Sequence, residues 1–94
     1  MMLEKAVLVK IRGKVTGVGF RLSAEYFASQ LHSVKGYIKN NSYSEVEAFI
    51  QGDREEVEEF LNYLRKGPPG SNVTEFIIAD VPASSQYDSF IIKT

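Results

Sequence analysis

Cysteine is absent from the 94 residues, which removes disulfides, thiolate metal sites and cysteine nucleophiles together. Histidine occurs once, at His32, so no Ser-His-Asp set and no imidazole cluster with metal-ligand spacing can be assembled. Long apolar runs are missing too. No stretch approaches the roughly 20 residues of a membrane-spanning helix, and no membrane partner is expected. The start, "MMLEKAVLVKIRGK", is interrupted by charges and has no small-residue cleavage site, so it does not resemble a secretory signal, and a cytoplasmic location is the expectation. The sequons at Asn40 and Asn72 should then stay unglycosylated. There is no internal repeat and no low-complexity tract. With 44% apolar and 24% charged residues the composition is that of a folded, soluble chain, and its length suits one domain over residues 1–94.

The net charge of -1 conceals an asymmetry. Residues 1–40 hold seven Lys/Arg against two acids, and residues 41–94 hold four against ten. Each half could simply solvate its own surface; alternatively, the basic half receives an anion while the acidic remainder repels polyanions.

Hydrophobic periodicity sets the element order. In "AVLVKIRG" Val7, Val9 and Ile11 alternate against Lys10 and Arg12, as in a half-buried strand. From Phe20 the spacing changes: Phe20, Ala24, Phe27, Ala28 and Leu31 recur every three or four residues, which predicts a helix. "VKGYIKN" and "EVEAFIQ" are two more strands joined by "NNSYS", a link of hairpin length. A second helix carries Val57, Phe60, Leu61 and Leu64 on one stripe. Asp53 is expected to cap it with Glu56 three residues on, and Gly67-Pro68 to end it. "VTEFIIADV" and "SFIIK" are further strands, the last at a sheet edge or beside the first. The order β-α-β-β-α-β with an extra C-terminal strand predicts an α+β, ferredoxin-like sandwich, an antiparallel sheet with two helices on one face. That fold alone does not specify a chemistry.

One segment does more. "GKVTGVGFR", residues 13–21, joins the first strand to the first helix. Such a junction offers unpaired backbone N–H groups and the positive end of a helix dipole. Gly17 and Gly19 allow left-handed turns that point several N–H groups inward, and Arg21 can add a bidentate, charge-assisted contact to the same oxyanion. The segment is therefore a candidate cradle for a phosphate or carboxylate, although glycines at a strand–helix turn can also serve close packing. No Gly-Lys-Ser/Thr follows, so it is not a nucleotide P-loop. Asn40 continues the face of Val34, Gly36 and Ile38, placing an amide where the pattern expects an apolar group. It either caps the hairpin or orients a water toward the anion.

"GKVTGVGFR" is similar to the acylphosphatase signature Gly-x-Val-Gln-Gly-Val-x-Phe/Tyr-Arg, and "GYIKN", Gly36 to Asn40, resembles that family's second block. "KGPPGSNV" resembles its connection after the second helix, so the likeness covers nearly the whole chain. The resemblance implies a metal-free, cofactor-free hydrolase that cleaves the carboxyl–phosphate bond of acyl phosphates. It puts the catalytic pair at Arg21 and Asn40 and the substrate cradle on the backbone of Thr16, Gly17, Val18, Gly19 and Phe20. Inorganic phosphate is then product and competitive inhibitor, and a monomer is expected. Two departures stand out: Thr16 replaces the usual Gln, and Ser44 replaces a hairpin glycine, which puts the turn that positions Asn40 in question. Two other readings remain. A catalytically silent domain of the same kind would bind an anion or a protein. An RNA-binding module would need exposed stacking aromatics and a basic sheet face, which the acidic "EVEAFIQ" does not provide, so no nucleic-acid partner is expected. The tyrosines and Phe49 are assigned to core or sheet-face packing, and His32 to the surface near the helix end.

Overall fold

Alternation decides the first strand. In the computed structural model, which describes residues 4–93, β1 (Glu4–Lys14) turns Val7, Val9 and Ile11 fully inward and leaves its intervening residues part-exposed. Met1 to Leu3, the start of the stretch tested for a signal, and Thr94 lie outside the described residues. Then follow α1 (Phe20–Ser29), β2 (Lys35–Ser42), β3 (Glu45–Asp53), α2 (Arg54–Lys66), β4 (Asn72–Asp80) and β5 (Phe90–Ile92).

The strands form one sheet in the order β4-β1-β3-β2-β5. The first four pair antiparallel, whereas the edge strand β5 runs parallel to β2, so the sheet is mixed at that edge. The extra strand lies beside β2, not β1. Ile38, Val46, Ala48 and Ile50 share the buried face with the β1 residues. Phe20, Ala24 and Ala28 of α1 and Val57, Phe60, Leu61 and Leu64 of α2 close over it. The ferredoxin-like α+β sandwich follows from that one-sided burial. No helix among the described residues is long and apolar enough to cross a membrane.

One capping expectation is corrected. Asp53 stands at the N-cap of α2, but its side chain makes no capping bond. Its backbone N–H donates to Ser33 Oγ at 2.8 Å. Ser33 Oγ in turn donates to the Glu56 carboxylate at 2.7 Å, which also accepts the backbone N–H groups of Ser33 and His32. With no loop between β3 and α2, the hydroxyl reaching the helix start comes from the segment before β2. Gly67 does end α2, its N–H bonding the Tyr63 carbonyl.

On the other face of the sheet Phe49 is 7% exposed, with Tyr37 and Tyr87 packed against it. It is covered, not a stacking platform. Tyr37 donates to Glu47, and burial together with that carboxylate raises its phenol above the ordinary tyrosine range.

Candidate active site

The strand β1 ends at Lys14 and α1 begins at Phe20, so five residues must reverse the chain. Gly17 (φ 71°) and Gly19 (φ 73°) do it in left-handed conformations. A Cβ built at either would meet nothing within 4 Å. Close packing therefore does not account for these glycines; their dihedral angles do. Gly19 is also the N-cap of α1 and brings no capping side chain, and the first turn of α1 contains no acid, in contrast to Glu55 and Glu56 on α2.

Consequently the donors are left open. Among the described residues the N–H groups of Thr16, Gly17, Val18 and Gly19 bond to no carbonyl and no side chain. The N–H groups of the first helical turn have no intrahelical partner by construction. Thr16, Gly17, Gly19, Phe20 and Arg21 line one depression of about 440 Å³, bounded also by Val15, Leu22 and Ile92. Val18 does not line it and instead packs partly on the core.

Arg21 is half-buried in the first turn of α1 and has no ion-pair or hydrogen-bond partner among the described residues. Arg12 differs: it is committed to Glu45 at 2.7 Å and Glu75 at 3.2 Å. Those carboxylates raise the Arg12 guanidinium, while hydrogen bonds from Asn41 and Arg12 lower Glu45. One guanidinium is thus spent on the sheet, and the other has no partner among the described residues and stands beside open amides at a helix N-terminus. Such an arrangement can hold a small oxyanion.

Asn40 reaches the same end of the molecule by topology. Strands β1 and β2 both run antiparallel to β3, so they run parallel to each other and finish together. Ile11 pairs with Val46 and Val46 with Asn40, so the three stand in one row across the sheet. Asn40, expected to be buried, is exposed. Among the described residues the parallel pairing with β5 reaches Ile38–Ile92, and the Lys93 N–H bonds the Ile38 carbonyl. The Asn40 amide has no partner among the described residues, and Asn40 is not one of the residues lining the depression.

What ties cradle to hairpin is a residue that sequence reasoning set aside. Thr16 Oγ1 donates to the Tyr43 carbonyl at 2.7 Å, and the Gly13 N–H donates to the Ser44 carbonyl at 3.0 Å. The resemblance gave Thr16 only a main-chain place in the cradle. Its hydroxyl instead fixes the cradle to the turn that carries Asn40. Ser44 is accommodated without strain, because no non-glycine residue described here has positive φ. The register shift between Asn40 and Ser42, with Asn41 as the extra residue, lets a two-residue turn close without a glycine. A second unforeseen contact joins the hydroxyls of Ser23 and Tyr63, linking the first turns of α1 to α2. Both contacts depend on tertiary placement, and a lone hydroxyl, in a loop or on a helix, gives no sequence signal for them.

Fold and site together define a small α+β domain of the ferredoxin-like class with a candidate oxyanion cradle. The family model described as Acylphosphatase matches residues 7–92. The acylphosphatase of Bacillus pumilus is 37% identical over 83 residues, 88% of this chain and 91% of that protein. The solved structure of an acylphosphatase from Coxiella burnetii superimposes with a TM-score of 0.88 at 30% identity, covering 96% of this chain and 93% of that one. A probable carbamoyltransferase HypF from Methanocaldococcus jannaschii is 36% identical over 91 residues, but these are 12% of its length. The chain belongs to the acylphosphatase family.

Proposed function

We propose that this protein is an acylphosphatase, hydrolysing acyl phosphates to a carboxylate and inorganic phosphate. The observation that carries the reading is the run of four open N–H groups, Thr16 to Gly19, beside the Arg21 guanidinium, which has no partner among the described residues. An acyl phosphate is an activated anhydride, so its hydrolysis needs positioning and charge stabilisation more than a covalent nucleophile. The cradle amides of Thr16 to Phe20 and the fork of Arg21 bind the phosphoryl oxygens. Asn40 aligns a water for attack at phosphorus. No side chain is placed as a base, and a phosphoryl oxygen takes the proton of the attacking water as the carboxylate leaves.

The positive field at the phosphoryl group is supplied by the chain itself, so turnover needs no added cation. The protein works as one domain over residues 1–94, as a cytoplasmic monomer, with phosphate as a competitive product inhibitor. Phosphate release from acetyl phosphate, measured with and without EDTA, tests this: equal rates are expected. Absence of turnover, or turnover that needs magnesium, overturns it. A silent oxyanion-binding domain would bind phosphate and release none.

A further inference from the structure

The cradle explains how a phosphoryl group is held, but an acyl phosphate has a second half. The depression at Arg21 opens into a seam between α1 and β5. Leu22 belongs both to the cradle depression and to a groove of about 560 Å³ that continues along that seam. Because β5 is parallel to β2, it runs toward the cradle end, antiparallel to α1. Ile92 accordingly stands at the cradle and Phe90 two residues behind it, one repeat of roughly 7 Å along the same face of the strand. On the helix, Leu22 and Tyr26 lie one turn apart, roughly 6 Å along the axis. Floor and rail therefore advance in step away from Arg21.

The two helix side chains are open to apolar contact, while Phe90 is buried and Ile92 part-buried beneath them. Leu22 is 67% and Tyr26 71% exposed, the two large apolar groups that α1 leaves uncovered. The floor is rigid, since the Phe90 ring packs edge-on against Phe60 with centroids 5.1 Å apart. Glu25, one residue before Tyr26, and Asp88, two residues before Phe90, flank this stretch, and farther along the groove is lined by Ala28, Leu31, Val34 and Lys35. The stretch from Leu22 and Ile92 to Tyr26 and Phe90 spans roughly 6–7 Å, about the reach of a six-carbon chain or one aromatic ring.

We propose that the α1–β5 seam is the acyl-group subsite, and that it selects acyl phosphates whose acyl group is an unbranched chain of about four to six carbons or a single aromatic ring. The proposal rests on the acylphosphatase reading for the direction in which the substrate leaves the cradle, and it adds the identity of the leaving carboxylate. Apolar burial of each methylene in an open groove increases kcat/KM about twofold, less than full burial would give.

Two measurements test it. The first is kcat/KM for acetyl, butanoyl, hexanoyl, decanoyl and benzoyl phosphates on the wild type and on Tyr26→Ala, whose side chain lies outside the cradle. Wild-type kcat/KM should climb roughly tenfold or more from acetyl to hexanoyl and gain nothing further at decanoyl. Tyr26→Ala should lose most of that climb and keep its acetyl phosphate rate. A flat series in the wild type, or an undiminished climb in Tyr26→Ala, overturns the subsite. The second is calorimetric binding of methyl-, butyl- and hexylphosphonate, which requires no turnover. If acetyl phosphate is not hydrolysed, the enzymatic reading fails. Tighter hexylphosphonate binding that Tyr26→Ala abolishes would then still support the groove, and equal affinities would refute it.

Discussion

Replacing Gly17 and Gly19 separates a need for room from a need for a dihedral angle. Both sit near φ 70°, and neither has an atom within 4 Å of where a Cβ would stand. Steric overlap therefore contributes nothing, and the left-handed conformation is the whole cost, about 1–2 kcal/mol for an L-residue. In a domain of this length each kcal/mol lowers Tm by about 4–8 °C, so Gly17→Ala and Gly19→Ala should each melt roughly 4–16 °C below wild type. Asparagine tolerates the left-handed region better than alanine, so Gly17→Asn and Gly19→Asn should lose less despite the larger side chain. The order of damage is then the reverse of the order of size. Thermal melts read stability, and phosphate binding reads whether the amides still converge. Greater damage from Asn than from Ala at both positions would refute the dihedral argument. Gly36 is the internal contrast: a Cβ there would lie 1.8 Å from the Phe49 carbonyl, so Gly36→Ala should disrupt the sheet whatever its dihedral preference.

Arg21→Ala should abolish measurable turnover and weaken phosphate binding about tenfold to a hundredfold, from the loss of charge-assisted bonds of about 1.5–3 kcal/mol; Arg21→Lys should recover little, and wild-type inhibition by phosphate in Arg21→Ala would sink the assignment. Asn40→Ala should lower kcat on the order of 10²-fold with phosphate affinity within a few-fold, whereas a hairpin cap would lower Tm and spare kcat. Thr16→Val removes only the bond to the Tyr43 carbonyl, and should cost about 0.5–1.5 kcal/mol of stability and reduce kcat more than phosphate affinity, measured by melts and steady-state kinetics. Burial pushes the Glu56 carboxyl up, but the donors on His32 and Ser33 outweigh it and hold the group below 4.5. Its contribution is therefore complete above about pH 4.5 and lost as pH falls through the depressed value, and Glu56→Gln should flatten the acid limb of Tm against pH.

The parts of the fold legible in the sequence are those whose burial is one-sided. Val7, Val9 and Ile11 alternate because one face of β1 meets helices, and the Val57–Leu64 stripe is visible because one side of α2 does. What escaped was set by pairing between distant segments. The parallel partner of β5 cannot be deduced from three residues, "FII", that suit any edge. The capping box was misassigned for the same reason: local spacing offered Asp53, and the fold supplied Ser33 from twenty residues away. Asn40 illustrates both cases. Alternation put it on the face of Ile38, the pairing through Val46 places it in one row with Ile11, and its expected burial is not met, since Asn40 is exposed.

The antiparallel step through β3 also explains how so small a chain builds a two-part site. The crossover through α1 leaves β1 and β2 parallel on either side of β3, so the loop after one and the hairpin after the other emerge at the same end of the sheet. The proposed phosphoryl cradle is made mostly of backbone, which constrains dihedral angles more than side-chain identity. Thr16 can accordingly replace a longer amide and take on the tether to Tyr43 without altering the amides beside it. The seam toward β5 has no such constraint, since Leu22 and Tyr26 are exposed and support neither the core nor the cradle geometry. Variation in what the enzyme accepts should therefore concentrate on α1 and β5, and variation in whether it turns over on residues 16–21 and Asn40.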